Sequence, residues 1–267
     1  MRSALYVPGN RPSMLAGALA KGADAVIVDL EDAVPPGEKA EAREAVAAWL
    51  RAQPAGTPVI VRVNPGPAGL DDARAVVSPA LRALCLAKAS VPEVVGMASV
   101  LDEAGSNAVL IPLLETPSAI MEARELALAP RVVRLQIGEA DLAAELGIRP
   151  GEDERELLFV RSAVVLASAA AGIEPPTAAV STDFRDLDRL RRSTEALKRL
   201  GFRGRACIHP AQVPVVNEVF TPTEDEVAAA RDLVERFERA GGGVCLDARG
   251  RMVDLAVVRE ARRVLAL

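Results

Sequence analysis

Ala108-Val109-Leu110-Ile111-Pro112-Leu113-Leu114-Glu115-Thr116-Pro117 is the stretch that decides the fold. A short apolar run ends in a carboxylate, and Thr-Pro then marks a helix N-cap followed by a first-turn proline. The same unit recurs along the chain. Apolar runs at Ala4–Val7, Ala25–Val28, Val59–Val63, Leu84–Ala87, Ala108–Leu114, Val132–Ile137, Thr177–Val180 and Ala206–Ile208 each precede a helix-like segment. Just beyond them sit Asn10, the Asp29/Glu31/Asp32 cluster, Asn64 (with Arg62 inside its run), Lys88, Glu115, Glu139 with Asp141, Asp183 and His209. Short buried strands alternating with helices predict an α/β fold with a parallel sheet. Eight such units predict a closed (β/α)8 TIM barrel, in which the C-terminal strand ends form one rim that carries the chemistry.

The length agrees, since 267 residues is close to the roughly 250 of one such barrel. We read residues 1–240 as the catalytic barrel and residues 241–267 as a small C-terminal flap. Gly241-Gly242-Gly243 breaks the alternating pattern, and Val244–Leu246, a turn at Asp247–Gly250 and Arg251–Val253 read as a hairpin feeding a last helix from Asp254. A hairpin this small is not stable alone. The terminal helix also carries an apolar stripe through Leu255, Val258 and Ala261 or Leu265, so the flap must pack on something. Asp153 with Glu156, and Thr223 with Glu226, have capping-box spacing. A helix from Glu154 to Ala171, apolar on nearly all sides in its second half, suggests packing between barrel and neighbour.

Composition excludes several classes. The net charge of −5 is mild and the cations are scattered among acids, so the basic stripe required by nucleic-acid binding is missing. No apolar run approaches the ~20 residues needed to cross a bilayer. Met1-Arg2-Ser3 leads straight into a strand without a signal-peptide core. Cys85, Cys207 and Cys245 are odd in number and far apart, which implies no disulfide framework. The expectation is a cytoplasmic protein.

The rim residues narrow the chemistry. His209 is the single histidine and is followed by Pro210, so an ordered hydrogen-bonding role outweighs activation of a nucleophile. There is no HExxH and no CxxC pair, which argues against zinc. Glu115 and Asp141 follow adjacent strands and offer two hard carboxylates to one spot, the kind of donor set that suits Mg2+. The competing reading is that both acids only solvate loops. Three carboxylates at Asp29, Glu31 and Asp32 repel one another unless compensated. Glu31 and Asp32 either orient metal-bound waters from behind the ligands or pair with cations such as Lys39. Arg62, inside a β-branched strand, needs a partner for its guanidinium: a substrate carboxylate held by two bonds, or a rim salt bridge to the acids. Lys88 is a charge partner for the acids or, less simply, a Schiff-base lysine.

Leu5-Tyr6-Val7-Pro8-Gly9-Asn10-Arg11, Asp29-Leu30-Glu31-Asp32-Ala33-Val34, Arg62-Val63-Asn64, Glu115-Thr116-Pro117, Gly138-Glu139-Ala140-Asp141-Leu142 and Ile208-His209-Pro210 occur in this order. Together they resemble the citrate lyase β-subunit (CitE) branch of the HpcH/HpaI aldolase and citrate lyase family, over nearly the whole chain. The resemblance implies Mg2+ bound at Glu115 and Asp141, and Arg62 holding the carboxylate of a keto-acid fragment. It places the Arg11 region near a coenzyme A thioester, and implies carbon–carbon lyase or condensing chemistry between an acetyl-type enolate and a 2-keto acid, as on citryl-CoA or malyl-CoA. Homo-oligomers, trimers or hexamers, are also implied. Gly250-Arg251-Met252-Val253-Asp254 is similar to the flap of malyl-CoA lyases. There the flap packs on a neighbouring subunit, and the matching aspartate reaches that neighbour's site and handles the proton on the acetyl methyl group. The resemblance thus implies that residues 241–267 pack on a neighbour and makes Asp254 an acid/base candidate as well as a helix N-cap. One departure is Arg205 after Gly204, where the family often has lysine; it is expected to touch ligand affinity. Two other functions stay open: a class II pyruvate aldolase, and a non-catalytic subunit that binds a thioester within a larger complex.

Overall fold

The computed structural model describes residues 1–266. Eight parallel strands alternate with helices: β1 (Ser3–Pro8), α1 (Pro12–Ala18), β2 (Ala25–Asp29), α2 (Lys39–Arg51), β3 (Val59–Val63), α3 (Gly66–Val76), β4 (Leu81–Leu86), α4 (Val91–Glu103), β5 (Val109–Leu114), α5 (Pro117–Met121), α6 (Ala123–Leu128), β6 (Arg134–Ile137), α7 (Glu139–Leu146), α8 (Leu158–Ala171), β7 (Glu174–Ala178), α9 (Leu187–Leu200), β8 (Gly204–Cys207) and α10 (Gln212–Phe220). The strands pair in sequence order, and β8 returns to β1 through Ser3↔Arg205 and Leu5↔Cys207, closing the barrel. The TIM-barrel α/β fold expected from the apolar runs is the fold of the chain.

Strand periodicity explains what fills the barrel. Ala4, Ala25 and Ile27, Ile60, Ala83 and Cys85, Ile111 and Leu113 pack into one cluster with Tyr6. These are alternate positions, as the two-residue repeat of a strand requires. Continued toward the strand ends, the same phase falls on Asp29 in β2, Arg62 in β3 and Glu115 just past β5. The alternation that builds the core therefore also delivers charge to the rim.

Caps and turns follow the local sequence. Thr116 Oγ1 accepts from the Ala119 amide at the start of α5, and Ser90 with Glu93 forms a capping box on α4. The capping box at Thr223/Glu226 is present, but the one at Asp153/Glu156 is not. There Glu156 accepts from the Gly151 amide, Glu154 sits at φ 53°, and α8 starts only at Leu158. The Asp153 carboxylate instead pairs with Arg155. β7 also differs from expectation, since it begins at Glu174 and includes Pro175 and Pro176. Its pairing to β6 is irregular between Arg134 and Gln136, the kind of break at which a strand tolerates residues without an amide proton.

Two compact units divide the chain at Glu218/Val219, not at 240/241. The second unit contains α11 (Glu224–Arg239), the antiparallel pair β9 (Cys245–Leu246) and β10 (Met252–Val253), and α12 (Leu255–Leu265). Its core is Phe237, Val253 and Val258, with Leu233, Val234 and Cys245 packed against them. The boundary moves because α11 supplies half of that core. Val258 and Ala261 of the α12 stripe are buried, whereas Leu255 and Leu265 stay exposed. The same chain thus covers part of the stripe assigned above to a neighbour.

Two glycines make the packing testable. A Cβ on Gly69 in α3 would lie 1.9 Å from the Asn64 carbonyl oxygen, whereas one on Gly17 in α1 would meet nothing within 4 Å. Helix propensity alone favours alanine by up to about 1 kcal/mol at either site. We expect Gly17→Ala to stabilise by that order in urea unfolding. Gly69→Ala should destabilise by about 1–3 kcal/mol, because the strand-end loop must shift. A neutral Gly69→Ala would refute the close approach.

Candidate active site

A cleft of about 420 Å3 opens at the C-terminal strand ends, and Tyr6, Asp29, Arg62, Glu115, Gln136 and Asp141 are among its lining residues. Its charges are organised around Arg62. Nε and Nη2 of Arg62 donate to the two carboxylate oxygens of Asp29 at 2.7 and 2.6 Å, and Nη1 lies 3.0 Å from Glu31 Oε2. The guanidinium carbon stands 5.1 Å from the centre of the Tyr6 ring. Burial opposes the Arg62 charge, yet the hydrogen bond to Asp29 and the surrounding negative groups hold its pKa above the ordinary arginine value. Asp29 also accepts the amides of Glu31 and Ala33 at 2.9 and 3.0 Å. The side-on edge of Arg62, which a substrate carboxylate could have used, is therefore taken by Asp29. The salt-bridge reading of Arg62 is realised, and only the Nη1/Nη2 end remains for a ligand.

Glu31 is buried and bridges two cations, since its Oε1 accepts from Lys88 Nζ at 2.8 Å. That bond comes first among the causes that raise the Lys88 pKa. A Schiff-base lysine must be neutral to attack a carbonyl, so the geometry favours the charge-partner reading. Lys39 does not pair with the acids: its Nζ donates to the Leu30 and Glu31 carbonyls. Asp32 is 3.8 Å from Arg62 and largely exposed.

Glu115 is the perturbed acid. It is 3% exposed, and its Oε1 accepts the Lys88 amide at 2.7 Å. Burial, against the help of that amide and with Glu31 and Asp141 adding negative charge nearby, pushes its pKa up to about 7. Lys88 has φ 48°, a strained value for a side-chain-bearing residue, and it aims that amide at the carboxylate. Gly138 completes the seat: a Cβ there would stand 2.6 Å from Glu115 Cβ and 2.8 Å from Oε2. Asp141, in the first turn of α7, shares the cleft. Among the described residues no hydrogen bond or ion pair occupies its carboxylate.

Glu139 lines the same cleft but is not available in the same way. Buried Arg161 of α8 grips both of its oxygens at 2.6 and 2.7 Å and also reaches Glu154 at 2.8 Å. Of the two acids after β6, Asp141 is thus the one left to coordinate a cation. A crowded pair of carboxylates, one buried without a cation of its own and one unengaged, is a donor set that fits a divalent oxygen-loving ion.

The other rim candidates take structural roles. His209 Nδ1 accepts the Ala211 amide at 3.1 Å, and its ring stacks on Phe184 at 4.8 Å. Asp183 accepts the Arg185 amide, and Asn64 ties Leu30 O to Asp72. Arg205 does not face a ligand, contrary to expectation. It is 3% exposed and donates to Ala179 O, Ser193 Oγ and Thr194 Oγ1, because its strand phase points it at α9. Arg11 occupies the exposed N-cap position of α1. Asp254 belongs to the second unit, where its carboxylate caps α12 by accepting the Ala256 and Val257 amides at 2.9 and 3.1 Å. Sequence reasoning missed Tyr6, Gln136 and Arg161. The first two were marked by strand phase, and Arg161 by being a cation within an apolar helix.

Comparison with known proteins shows the family. The family model described as HpcH/HpaI aldolase/citrate lyase matches residues 2–210. A citrate lyase subunit beta-like protein of Deinococcus radiodurans is 34% identical across 100% of this chain and 96% of its own length. A (3S)-malyl-CoA thioesterase of Cereibacter sphaeroides is also 34% identical, across 99% of this chain and 93% of its own. The crystal structure of CitE from Mycobacterium tuberculosis, in complex with magnesium, acetoacetate and coenzyme A, superposes with a TM-score of 0.83 at 30% identity, covering 100% of this chain and 98% of that one. With the barrel, the rim motifs and these matches all in place, the chain belongs to the HpcH/HpaI aldolase/citrate lyase family.

Proposed function

We propose that the protein is a Mg2+-dependent carbon–carbon lyase, or the corresponding condensing enzyme, acting on coenzyme A-type thioesters of small hydroxy acids. The observation that carries the reading is the Glu115/Asp141 pair, with the Glu115 pKa lifted to about 7 beside an unengaged Asp141. Glu115 and Asp141 would hold the ion. When bound, Mg2+ supplies Lewis-acid polarisation of the keto-acid oxygens. The chain's own residues do the rest. Arg62, fixed by Asp29 and Glu31, presents its remaining edge to the keto-acid carboxylate and sets its orientation. Glu31 and Asp32 hold the surrounding water and cations in register. Arg11 at the mouth of α1 meets the coenzyme A portion.

Asp254 is the proposed acid/base for the acetyl methyl proton, supplied to a neighbouring subunit's cleft. A homo-oligomer, a trimer or hexamer, is part of this reading. It is supported by exposed apolar side chains on α5 and α8, among them Met121, Phe159 and Leu166 at 78%, 72% and 71% exposure, a density that marks interaction surfaces. A reducing cytoplasm suits the three free thiols, two of them buried. No described helix is long and apolar enough to cross a membrane.

Glu115→Ala and Asp141→Ala should each abolish release of keto acid from citryl- or malyl-type thioesters and weaken Mg2+ binding in calorimetry. Asp254→Asn keeps the helix cap but removes the proton acceptor. Mixing it with Glu115→Ala should, after subunit exchange, restore part of the activity each lacks. Wild-type Mg2+ affinity in both metal-ligand variants would sink the metal assignment, and no recovery in proven mixed oligomers would confine Asp254 to its cap.

Arg62→Lys should lose about 100-fold or more in kcat/KM, nearly as much as Arg62→Ala. An ammonium cannot bond Asp29 through two parallel donors and still offer a second edge. Near-normal kcat/KM in the lysine variant would make Arg62 a general charge and remove it from substrate orientation.

A raised acid stabilises the fold below its unfolded pKa, and that contribution is lost as pH rises through the folded value. From the ordinary 4.5 to about 7, at about 1.4 kcal/mol per unit, the loss is of order 3 kcal/mol. The metal-free protein should therefore lose Tm between pH 5 and 8, and Glu115→Gln should flatten that slope. Mg2+ should raise Tm more at pH 8 than at pH 5.5, because it binds the ionised carboxylate. Equal slopes in wild type and Glu115→Gln would contradict the assignment.

A further inference from the structure

The hydrogen bonds of Arg62 leave one motion of its guanidinium unrestrained. Its partners Asp29 and Glu31 meet it along its edges, because the donors of this planar group all point outward in its plane. Edge bonds fix position and rotation within the plane, and tilt out of the plane is the soft motion that remains. A face contact is what restrains tilt, and Tyr6 supplies one. The guanidinium carbon stands over the Tyr6 ring at 5.1 Å from its centre, within the reach of cation–π attraction.

A ring can hold Arg62 only if the ring is itself held, and the far end of Tyr6 is. Gln136 Nε2 donates to the Tyr6 hydroxyl at 2.9 Å, and the Cys85 thiol is a second hydrogen-bonding neighbour of that oxygen. Tyr6 belongs to β1, Cys85 to β4 and Gln136 to β6, and no two of these strands are adjacent in the barrel. The side chain therefore crosses the barrel interior, on top of the small residues Ala4, Ala25 and Ala83, and its ring floors the cleft. Burial pushes the phenol well above its ordinary pKa, so the hydroxyl keeps its proton and can accept from Gln136 while donating to Cys85. Gln136 is 3% exposed, which leaves little water to replace the tie if it is cut.

We infer that Tyr6 and Gln136 form one positioning unit for Arg62: Gln136 pins the hydroxyl, the pinned ring sets the tilt of the guanidinium, and the free Nη1/Nη2 end is thereby aimed into the cleft. The inference rests on the proposed function, in which that end meets the keto-acid carboxylate. It adds two residues that act through Arg62 and not on the reacting atoms. Small errors of aim matter in such a site, since a misplacement of about 1 Å can cost up to about 100-fold in rate.

The test uses pyruvate as the probe and reads its affinity for the intact Mg2+-loaded protein by calorimetry, with Mg2+ affinity measured separately. Tyr6→Phe keeps the ring and removes the hydroxyl, and Gln136→Met keeps the length and removes the amide. Each should weaken pyruvate binding about three- to tenfold, the scale of one hydrogen bond. The double variant should lose no more than the larger single loss, because both changes cut the same tie. Mg2+ affinity should stay within about twofold of wild type in all three, whereas a barrel that had merely loosened would lose both ligands together. Arg62→Ala, measured alongside, separates this inference from the function it rests on. Wild-type pyruvate affinity in Arg62→Ala overturns the proposed role of Arg62 and the positioning unit with it. If Arg62→Ala weakens pyruvate, the positioning inference alone is overturned by any of three results: wild-type affinity in Tyr6→Phe or Gln136→Met, additive losses in the double variant, or a parallel loss of Mg2+ affinity. Tyr6→Phe, smaller by one oxygen, decides the matter by itself if Gln136→Met does not fold.

Discussion

The rim of this barrel depends on how Arg62 is shared. Closing eight strands forces Asp29, Glu31 and Glu115 into one buried neighbourhood, and three carboxylates removed from water cannot all stay ionised without compensation. The guanidinium at the end of β3 meets Asp29 through two parallel hydrogen bonds and Glu31 through a third contact, with the Tyr6 ring beside it. Removing one partner from such a buried pair typically costs about 3–5 kcal/mol, because the other is left charged and alone. Lys88 adds the second compensating charge at Glu31.

Once Asp29 and Glu31 are balanced, the excess negative charge is concentrated at Glu115 and Asp141. Four unrelated local features converge on that result. Gly138 leaves room for the Glu115 carboxylate, and Lys88 accepts a left-handed backbone so that its amide can hold it. Arg161 withdraws Glu139 from competition. Asp141 sits in the first turn of α7, where a carboxylate is favourable to the helix dipole. Each is modest alone. Together they leave two oxygen donors with unmet electrostatic demand at one side of the cleft, which is where the proposed cation belongs.

The barrel was legible because its strands are bounded apolar runs with charged ends, and two-residue alternation already carried Asp29, Arg62 and Glu115 to the rim. What pairwise spacing could not show is partner choice. Asp29 capturing the side-on edge of Arg62 depends on the β2–β3 register, in which the two residues lie opposite each other. Arg161 reaches Glu139 from a helix later in the chain, and Arg205 turns outward to α9 because of its strand phase. The prolines of β7 hid the start of that strand. α11 read as an ordinary barrel helix until its packing with α12 and the hairpin set the unit boundary at Glu218/Val219.

The central claim is that Glu115, whose pKa burial lifts to about 7, would release its proton to solvent when a divalent cation is held by it and Asp141. Calorimetric titration of Mg2+ at pH 7, repeated in buffers of different ionisation enthalpy, counts protons released per ion bound. With a Glu115 pKa of about 7, the account predicts release of about half a proton per Mg2+ in the wild type. Release should approach none at pH 8.5, and none is expected at any pH in Glu115→Gln, whose affinity should also fall. Binding of Mg2+ at pH 7 with no proton release, or with release unchanged in Glu115→Gln, would contradict it.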